Sequence, residues 1–456
     1  MHTMHRREFL QQSKRTTLGM AAGVTLLANA ASVRGAPAAE KILLAAVGVR
    51  GRGANLAAGF LQRGGCEYAY ICDPDTQLFE SRAKQIAEQQ GGKMPKCVKD
   101  FREALDDKRL TAIVSATPDH WHALSTVWAC QAGKDVYVEK PASHNCWEGQ
   151  KMVEAARKYN RIVQVGTQNR SAAYNMSAKK YIEEGKLGQV HFVRVCNMKL
   201  WANRPAVPDS DPPPGLDWDL WNGPAPACRY NAAYHNYWHH LWRYSGGDIA
   251  NDASHQIDLA RWLVGVELPL RVYSTGGRWD SEGVAETPDT QVAVWEYPKM
   301  LIVFELTLYT PYMLKISPQI RESLTEFPYW PQCATRIEIY GSKGLMIVGR
   351  HGGGWQVFDR PQREVPQVVA SDNGKFPDPE HQTNFLQCVR SRKTPNADIL
   401  EGHRSALLIH YANISYRLGG VKLSIDPKTE QIADPPEAMK LFRREYRKPY
   451  EIPETV

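Results

Sequence analysis

After about residue 40, short continuous apolar runs alternate with segments whose apolar positions recur at helical spacing. The runs at 41–47 (KILLAAV), 67–72 (EYAYIC), 111–116, 135–138 and 162–165 read as buried strands. Helical patterns fall between them, near 77–90, 120–132 and 146–159. This regular strand–helix succession predicts an α/β fold built on a parallel, doubly wound sheet. Beyond residue 188 the rhythm fades. Extended runs follow at 190–198, 290–296, 300–309, 335–340 and 345–348, marking a change of architecture. The proline-rich stretch from Pro205 to Pro226 predicts a long loop.

With 456 residues the chain has room for two domains, each with a sizeable core. Its 43% hydrophobic and 23% charged content is that of a globular protein. The net charge of +7 is inflated by the first 36 residues, which carry a net +4. The remaining +3 is too weak to indicate a nucleic-acid partner. The basic stretch KLFRREYRK near the C-terminus reads as a solvated helix face. At the N-terminus, Arg6-Arg7 precedes an apolar run from Leu18 to Ala31, and Ala28-Asn29-Ala30 offers a cleavage site. Residues 1–36 thus resemble a twin-arginine export signal, which predicts a periplasmic or otherwise exported protein. The run is too short and too rich in Ala and Gly to span a bilayer, so no stable membrane insertion is expected after signal removal. Nine cysteines occur without any C-x-x-C pair, and folding before export predicts that most remain buried free thiols.

The first strand runs directly into Gly48-Val49-Arg50-Gly51-Arg52-Gly53, followed by a helical pattern. Such a turn brings backbone N–H groups and a helix N-terminus up to a pyrophosphate. The spacing departs from G-x-G-x-x-G, because Arg50 stands where the second glycine belongs and Gly51 is shifted by one. Asp73 closes the second strand. An acidic side chain there accepts ribose hydroxyls and repels an added phosphate, so the expected cofactor is NAD rather than NADP.

Further motifs follow in order: Thr117-Pro118-Asp119-His120-Trp121-His122, Val138-Glu139-Lys140-Pro141 and Gly166-Thr167-Gln168-Asn169-Arg170. With GLDWDLWNGPAP (215–226), the segment GGDIANDASHQID (246–258), IYGSKG (339–344) and HRSALLIHYANISYRLG (403–419), the chain resembles the Gfo/Idh/MocA family of NAD(P)-dependent oxidoreductases. The resemblance is to an exported branch. It implies a Rossmann domain, 39–170, and a C-terminal α/β domain, 171–456, whose open, largely antiparallel sheet supports substrate. It also implies a sugar or polyol substrate and a homo-oligomer.

Oxidising a secondary alcohol requires a nicotinamide, a base for the hydroxyl proton and a group that stabilises alkoxide charge. By the resemblance Lys140 meets the reacting oxygen, and Pro141 follows a cis peptide. The family's helix motif places an aspartate four residues before a histidine. Here His255 takes the histidine position as acid/base, Asn251 holds the aspartate position, and Asp252 is adjacent. Catalytic candidates are therefore Lys140, His255, Asn251 and Asp252. Cofactor candidates are Gly48, Arg50, Gly51, Arg52, Gly53, Asp73, Thr117, Pro118, His120, Glu139, Lys140 and Gln168, with Asp119 or a nearby group capping the next helix. Substrate candidates are Asn169, Trp242, Arg243, Asn251 and His255. Trp218, Trp221, Tyr237 and Trp238 read as packing residues that could also stack on sugar faces. His235, His239 and His240 lack metal-ligand spacing, and no metal is expected. The function expected is NAD-dependent hydride transfer to or from a sugar or polyol. A glycosidase that recycles bound NAD and a non-catalytic sugar or nucleotide sensor remain alternatives.

Overall fold

Both faces of the first sheet are covered, which is why its strands read as unbroken apolar runs rather than alternating ones. The computed structural model describes residues 41–201, 204–279, 283–359 and 365–456. The expected export signal lies outside them. Strands β1 (Ile42–Val47), β2 (Cys66–Cys72), β3 (Lys96–Val98), β4 (Ala112–Ser115), β5 (Asp135–Val138) and β6 (Val163–Val165) form a parallel sheet. Its order is β3-β2-β1-β4-β5-β6, so the winding reverses between β1 and β4 and a crevice opens at their carboxyl ends.

The second sheet runs β14-β13-β12-β11-β7-β10-β9-β8-β15-β16. These strands are β7 (Val190–Met198), β8 (Arg271–Gly277), β9 (Thr290–Tyr297), β10 (Met300–Thr307), β11 (Arg336–Gly341), β12 (Gly344–Gly349), β13 (Trp355–Asp359), β14 (Val368–Asp372), β15 (Leu423–Ile425) and β16 (Ile432–Asp434). Only β7 and β10 pair in parallel, so the sheet is open and largely antiparallel, as expected. Val193, Val195, Trp295, Ile302 and Phe304 point into the core. The Trp295 indole donates to the Leu408 carbonyl at 3.0 Å, tying the sheet to helix Ile399–Arg417.

Three expectations change. KLFRREYRK is not a helix face: its chain is irregular beyond Leu441, and Arg444 turns inward onto Glu148 (2.7 Å) and the His120 carbonyl (2.8 Å). The division at 170/171 is crossed by helix Asp378–Ser391, which returns to the first sheet and places Phe385 against Phe60 and Tyr137. Strands β3, β8 and β13–β16 were not foreseen, being short or interrupted by polar residues and glycine. All nine cysteines are free, seven of them buried. Among the described residues no helix is long and apolar enough to cross a membrane.

The fold buries several histidines in the neutral form. Burial pushes His120 and His410 down to about 3 and His381 to about 4. Below pH 6.5 the unfolded chain takes up protons that these rings refuse in the folded state, so their contribution is complete above 6.5 and falls with acidification. Thermal denaturation should show a Tm lower by on the order of 10 °C at pH 5 than at pH 7.

Candidate active site

The cleft begins where β1 turns into helix Gly51–Arg63. Gly48 has φ +78°, and a Cβ there would press on the Ala116 carbonyl. A Cβ on Gly53 would fall onto the carbonyl oxygen of Gly48, whereas one on Gly51 would meet only open space. Two glycines therefore let helix and strand close-pack, and the third leaves room for a ligand's phosphates. Gly51→Val should weaken NADH binding at least about tenfold at unchanged Tm, because it fills the ligand's space. Gly53→Ala should instead lower Tm. Fluorescence titration and thermal denaturation separate the two.

The cleft encloses about 330 Å³ and is lined by Gly48, Arg50, Asp73, Thr117, Pro118 and Trp221, among others. Asp73 is buried at the end of β2, where it accepts from the N–H groups of Val49 (2.9 Å) and Asp75 (3.0 Å). Burial raises its carboxyl above the usual range. Arg50 pairs with Asp75. Arg52 is clamped between Glu139 (2.8 Å) and both oxygens of Asp378 (2.6 and 2.9 Å), which joins the glycine turn to the lysine motif and the returning helix.

His239 lines the cleft, and its ring senses the charges of Lys140, Arg204 and Lys199. The Lys140–Pro141 peptide is cis. The Lys140 ammonium donates to the Asn251 carbonyl at 2.5 Å and lies 3.4 Å from its amide oxygen. Burial depresses the pKa of Lys140, against the opposing pull of Glu139, Asp119 and Asp252. Segment 246–258 is not one helix. A short turn, Asp248–Asn251, is followed after a break at Asp252-Ala253 by helix Ser254–Val264. Asn251 and His255 therefore flank a corner instead of stacking on one helical face.

His255 meets His351 edge-on, with ring centroids 4.2 Å apart. Burial, then His351, Arg350 and Lys140, hold its pKa well below the ordinary histidine value, so the ring is neutral near pH 7. Its buried Nδ1 has no hydrogen-bond partner. Asp252, expected as a catalytic neighbour, is occupied instead. It pairs with Lys199 (2.6 Å), Lys315 (2.7 Å) and Arg350. Burial opposes its ionisation, yet Arg350, Lys199 and Lys315 keep it well below the usual carboxylate range, as the counter-ion of three cations. Asp258 faces the other way, in a buried bidentate pair with Arg170.

Gln168 and Asn169 are buried at the end of β6, and Gln168 lies 3.5 Å from Glu139. The Gln168 amide oxygen and both amide atoms of Asn169 have no hydrogen-bond partner, leaving donors and acceptors available to a ligand. His120 is not in the cleft. Its ring packs on Trp221 and Tyr244 and bonds the Trp221 carbonyl. Asp119 takes the Ser245 hydroxyl and does not cap the next helix. Trp242 and Arg243 line a different cavity of about 990 Å³, with His410 and Arg417. Trp218 stacks on Trp221 at 4.7 Å, while Trp238 lines the cleft. Among the described residues no cluster of His, Cys, Asp and Glu is placed to hold a metal.

Sequence reasoning missed Lys199, Lys315, Arg350 and His351. The run Arg350-His351-Gly352-Gly353-Gly354 was the available signal, since His351 and all three glycines adopt positive φ. A histidine in the left-handed region beside a glycine run marks a backbone shaped for something other than packing.

The family comparison agrees with this geometry. Residues 42–167 match the oxidoreductase family's NAD-binding Rossmann fold, 226–347 the GFO/IDH/MocA C-terminal domain, and 342–452 the oxidoreductase family's C-terminal alpha/beta domain. The chain belongs to the Gfo/Idh/MocA oxidoreductase family. Levoglucosan dehydrogenase of Pseudarthrobacter phenanthrenivorans is 30% identical over 166 residues, 36% of each chain, so that match spans about a third of the relative's length. Myo-inositol 2-dehydrogenase of Thermotoga maritima is 23% identical over 351 residues, 74% of this chain and 86% of the relative. Among solved structures, the WlbA dehydrogenase of Bordetella pertussis, in complex with NADH and UDP-GlcNAcA, has a TM-score of 0.61 and 24% identity. That alignment covers 85% of this chain and 99% of the other. The cofactor is NAD, and the open space at Gly51 and the unpartnered amides of Gln168 and Asn169 fit it.

Proposed function

We propose that the protein is an exported, NAD-dependent oxidoreductase acting on a secondary alcohol of a sugar or polyol. The observation that carries this reading is the placement of the Lys140 ammonium and the neutral His255 ring about one corner, Asn251–His255, close enough for the ring to feel the lysine's charge. NAD bound in the cleft supplies an acceptor for the hydride leaving the carbinol carbon. Lys140, aimed by the Asn251 carbonyl, donates to the reacting oxygen and favours its anionic form. His255 accepts the hydroxyl proton at its unpaired ring nitrogen, so hydride and proton leave together and a carbonyl remains. Asn251 cannot take a proton and serves as a positioning residue.

Purified protein offered NAD and a panel of sugars and polyols should accumulate NADH. A preparation that neither binds nor reduces nicotinamide would overturn the reading. Aglycone release without NADH build-up would assign the same machinery to a glycosidase that recycles its cofactor. Full retention of every measurable function after Lys140→Ala would favour a sensor.

Export rests on Arg6-Arg7 and the apolar run behind it. A reporter fused to residues 1–36 should lose export when both arginines become lysine. The outer face of the second sheet exposes Leu301, Val292 and Tyr273 beside the Arg194–Glu305 pair, which suits pairing with a second copy. Light scattering on the purified protein should report a homo-oligomer.

A further inference from the structure

The charges around the proposed site are unbalanced. Lys199, Lys315 and Arg350 converge on the single carboxylate of Asp252. Asp248 also pairs with Lys199, at 2.9 Å, and shares its other oxygen with Asn197. Arg321 approaches the same group, near enough to feel both Arg350 and Asp252. Among the described residues, four cations therefore face two carboxylates, and the excess is positive.

The imbalance is costly where it sits. Burial depresses the pKa of Lys315 and Arg321, and the neighbouring cations depress each further. One cation would suffice to hold Asp252 in place, so three exceed what a structural ion pair requires. Unused hydrogen-bonding groups point to the same deficit. Arg350 is 8% exposed and its Nε has no partner, and His351, 5% exposed, has an unpartnered Nε2. The His351 ring is in contact with that of His255, and His255 also feels the charge of Arg350. A neutral sugar would leave the surplus charge uncompensated. An anionic oxygen pair would satisfy the guanidinium edge and the charge together. Lys315, with its side chain 44% exposed, reaches this group from the solvent side.

We infer that the sugar taken at this site carries an anionic group, seated against Arg350, Lys199 and Lys315 while its reacting hydroxyl lies at Lys140 and His255. The inference rests on the oxidoreductase reading for the identity of the site. The shared chemistry is that of a carboxylate, sulfate or phosphate on the sugar.

The test uses full-length, NAD-loaded protein and matched ligands: glucose and galactose, their 6-carboxylates, their 6-sulfates and their 6-phosphates. Binding is measured by calorimetry, and NADH formation is followed separately. At least one anionic member should bind tenfold or more tightly than its neutral parent, and the ranking of the three derivatives identifies the group. Lys315→Gln, a change on the solvent side, should reduce that preference severalfold, and Arg350→Gln should reduce it further where the variant folds. Equal affinity for neutral and anionic members, tighter binding of the neutral parent, or no binding by any of them overturns the inference. A preference that survives both substitutions overturns the assignment to these residues. Tight anion-selective binding without NADH would support the charge inference while counting against the oxidoreductase reading.

Discussion

Lys140→Ala should lower kcat by on the order of 10²- to 10³-fold while leaving NADH binding intact. The lysine is a buried cation held by the Asn251 carbonyl, and its charge is felt by His239, which lines the cleft. Its removal takes away stabilisation that grows as the hydroxyl becomes an alkoxide, so the loss falls on kcat more than on KM. A second readout follows from His255, whose pKa Lys140 helps to depress. Without that cation the ring protonates more readily, and the acid limb of the residual activity should move to higher pH. A kcat within tenfold of the parent, with an unmoved pH profile, would remove Lys140 from the chemistry.

The second large effect concerns stability. Arg170→Met should cost about 3–5 kcal/mol in urea denaturation, because it strands the Asp258 carboxylate in the core. Arg170 is 2% exposed and Asp258 is fully buried, with contacts of 2.8–3.0 Å. The Ser405 hydroxyl adds a further bond to Asp258 at 2.7 Å. The pair bolts the end of the first sheet to helix Ser254–Val264, which carries His255. The double variant Arg170→Met, Asp258→Leu should recover much of the loss, since replacing a whole buried pair by apolar groups costs far less than breaking it. A single variant as stable as the parent would show that this network is not holding the two regions together.

Five of the six strands of the first sheet were legible because they are short, apolar and separated by helices with a clear period, and their boundaries fell within a residue or two; β3, with Lys96 and Cys97 in a three-residue strand, carried no such signal. The glycine turn and Lys140 were legible for a related reason: both lie in local motifs whose chemistry depends on immediate neighbours. The polar face of 246–258 was not. Asp248, Asp252 and Asp258 look alike in sequence, yet one holds Lys199 and Asn197, one gathers three cations, and one is buried against Arg170. Their partners come from the end of β7, the stretch after β10, the end of β12 and the turn after β6. No spacing along the chain encodes that convergence. The corner at Asp252-Ala253 was hidden as well, since the apolar positions of the segment continue at helical spacing straight through it.

The return of helix Asp378–Ser391 to the first sheet imposes an order on synthesis. Phe385 covers Phe60 and Tyr137, and Asp378 clamps the Arg52 of the glycine turn. Phe60, on helix Gly51–Arg63, stays uncapped until more than three hundred further residues have left the ribosome. Through that interval an apolar surface that will later be dry faces the cytosol, and the nucleotide cleft lacks one wall of its scaffold. Nascent chains halted before residue 378 should therefore expose an apolar face suited to chaperone capture, and they should acquire nucleotide affinity only when nearly the whole protein has been made.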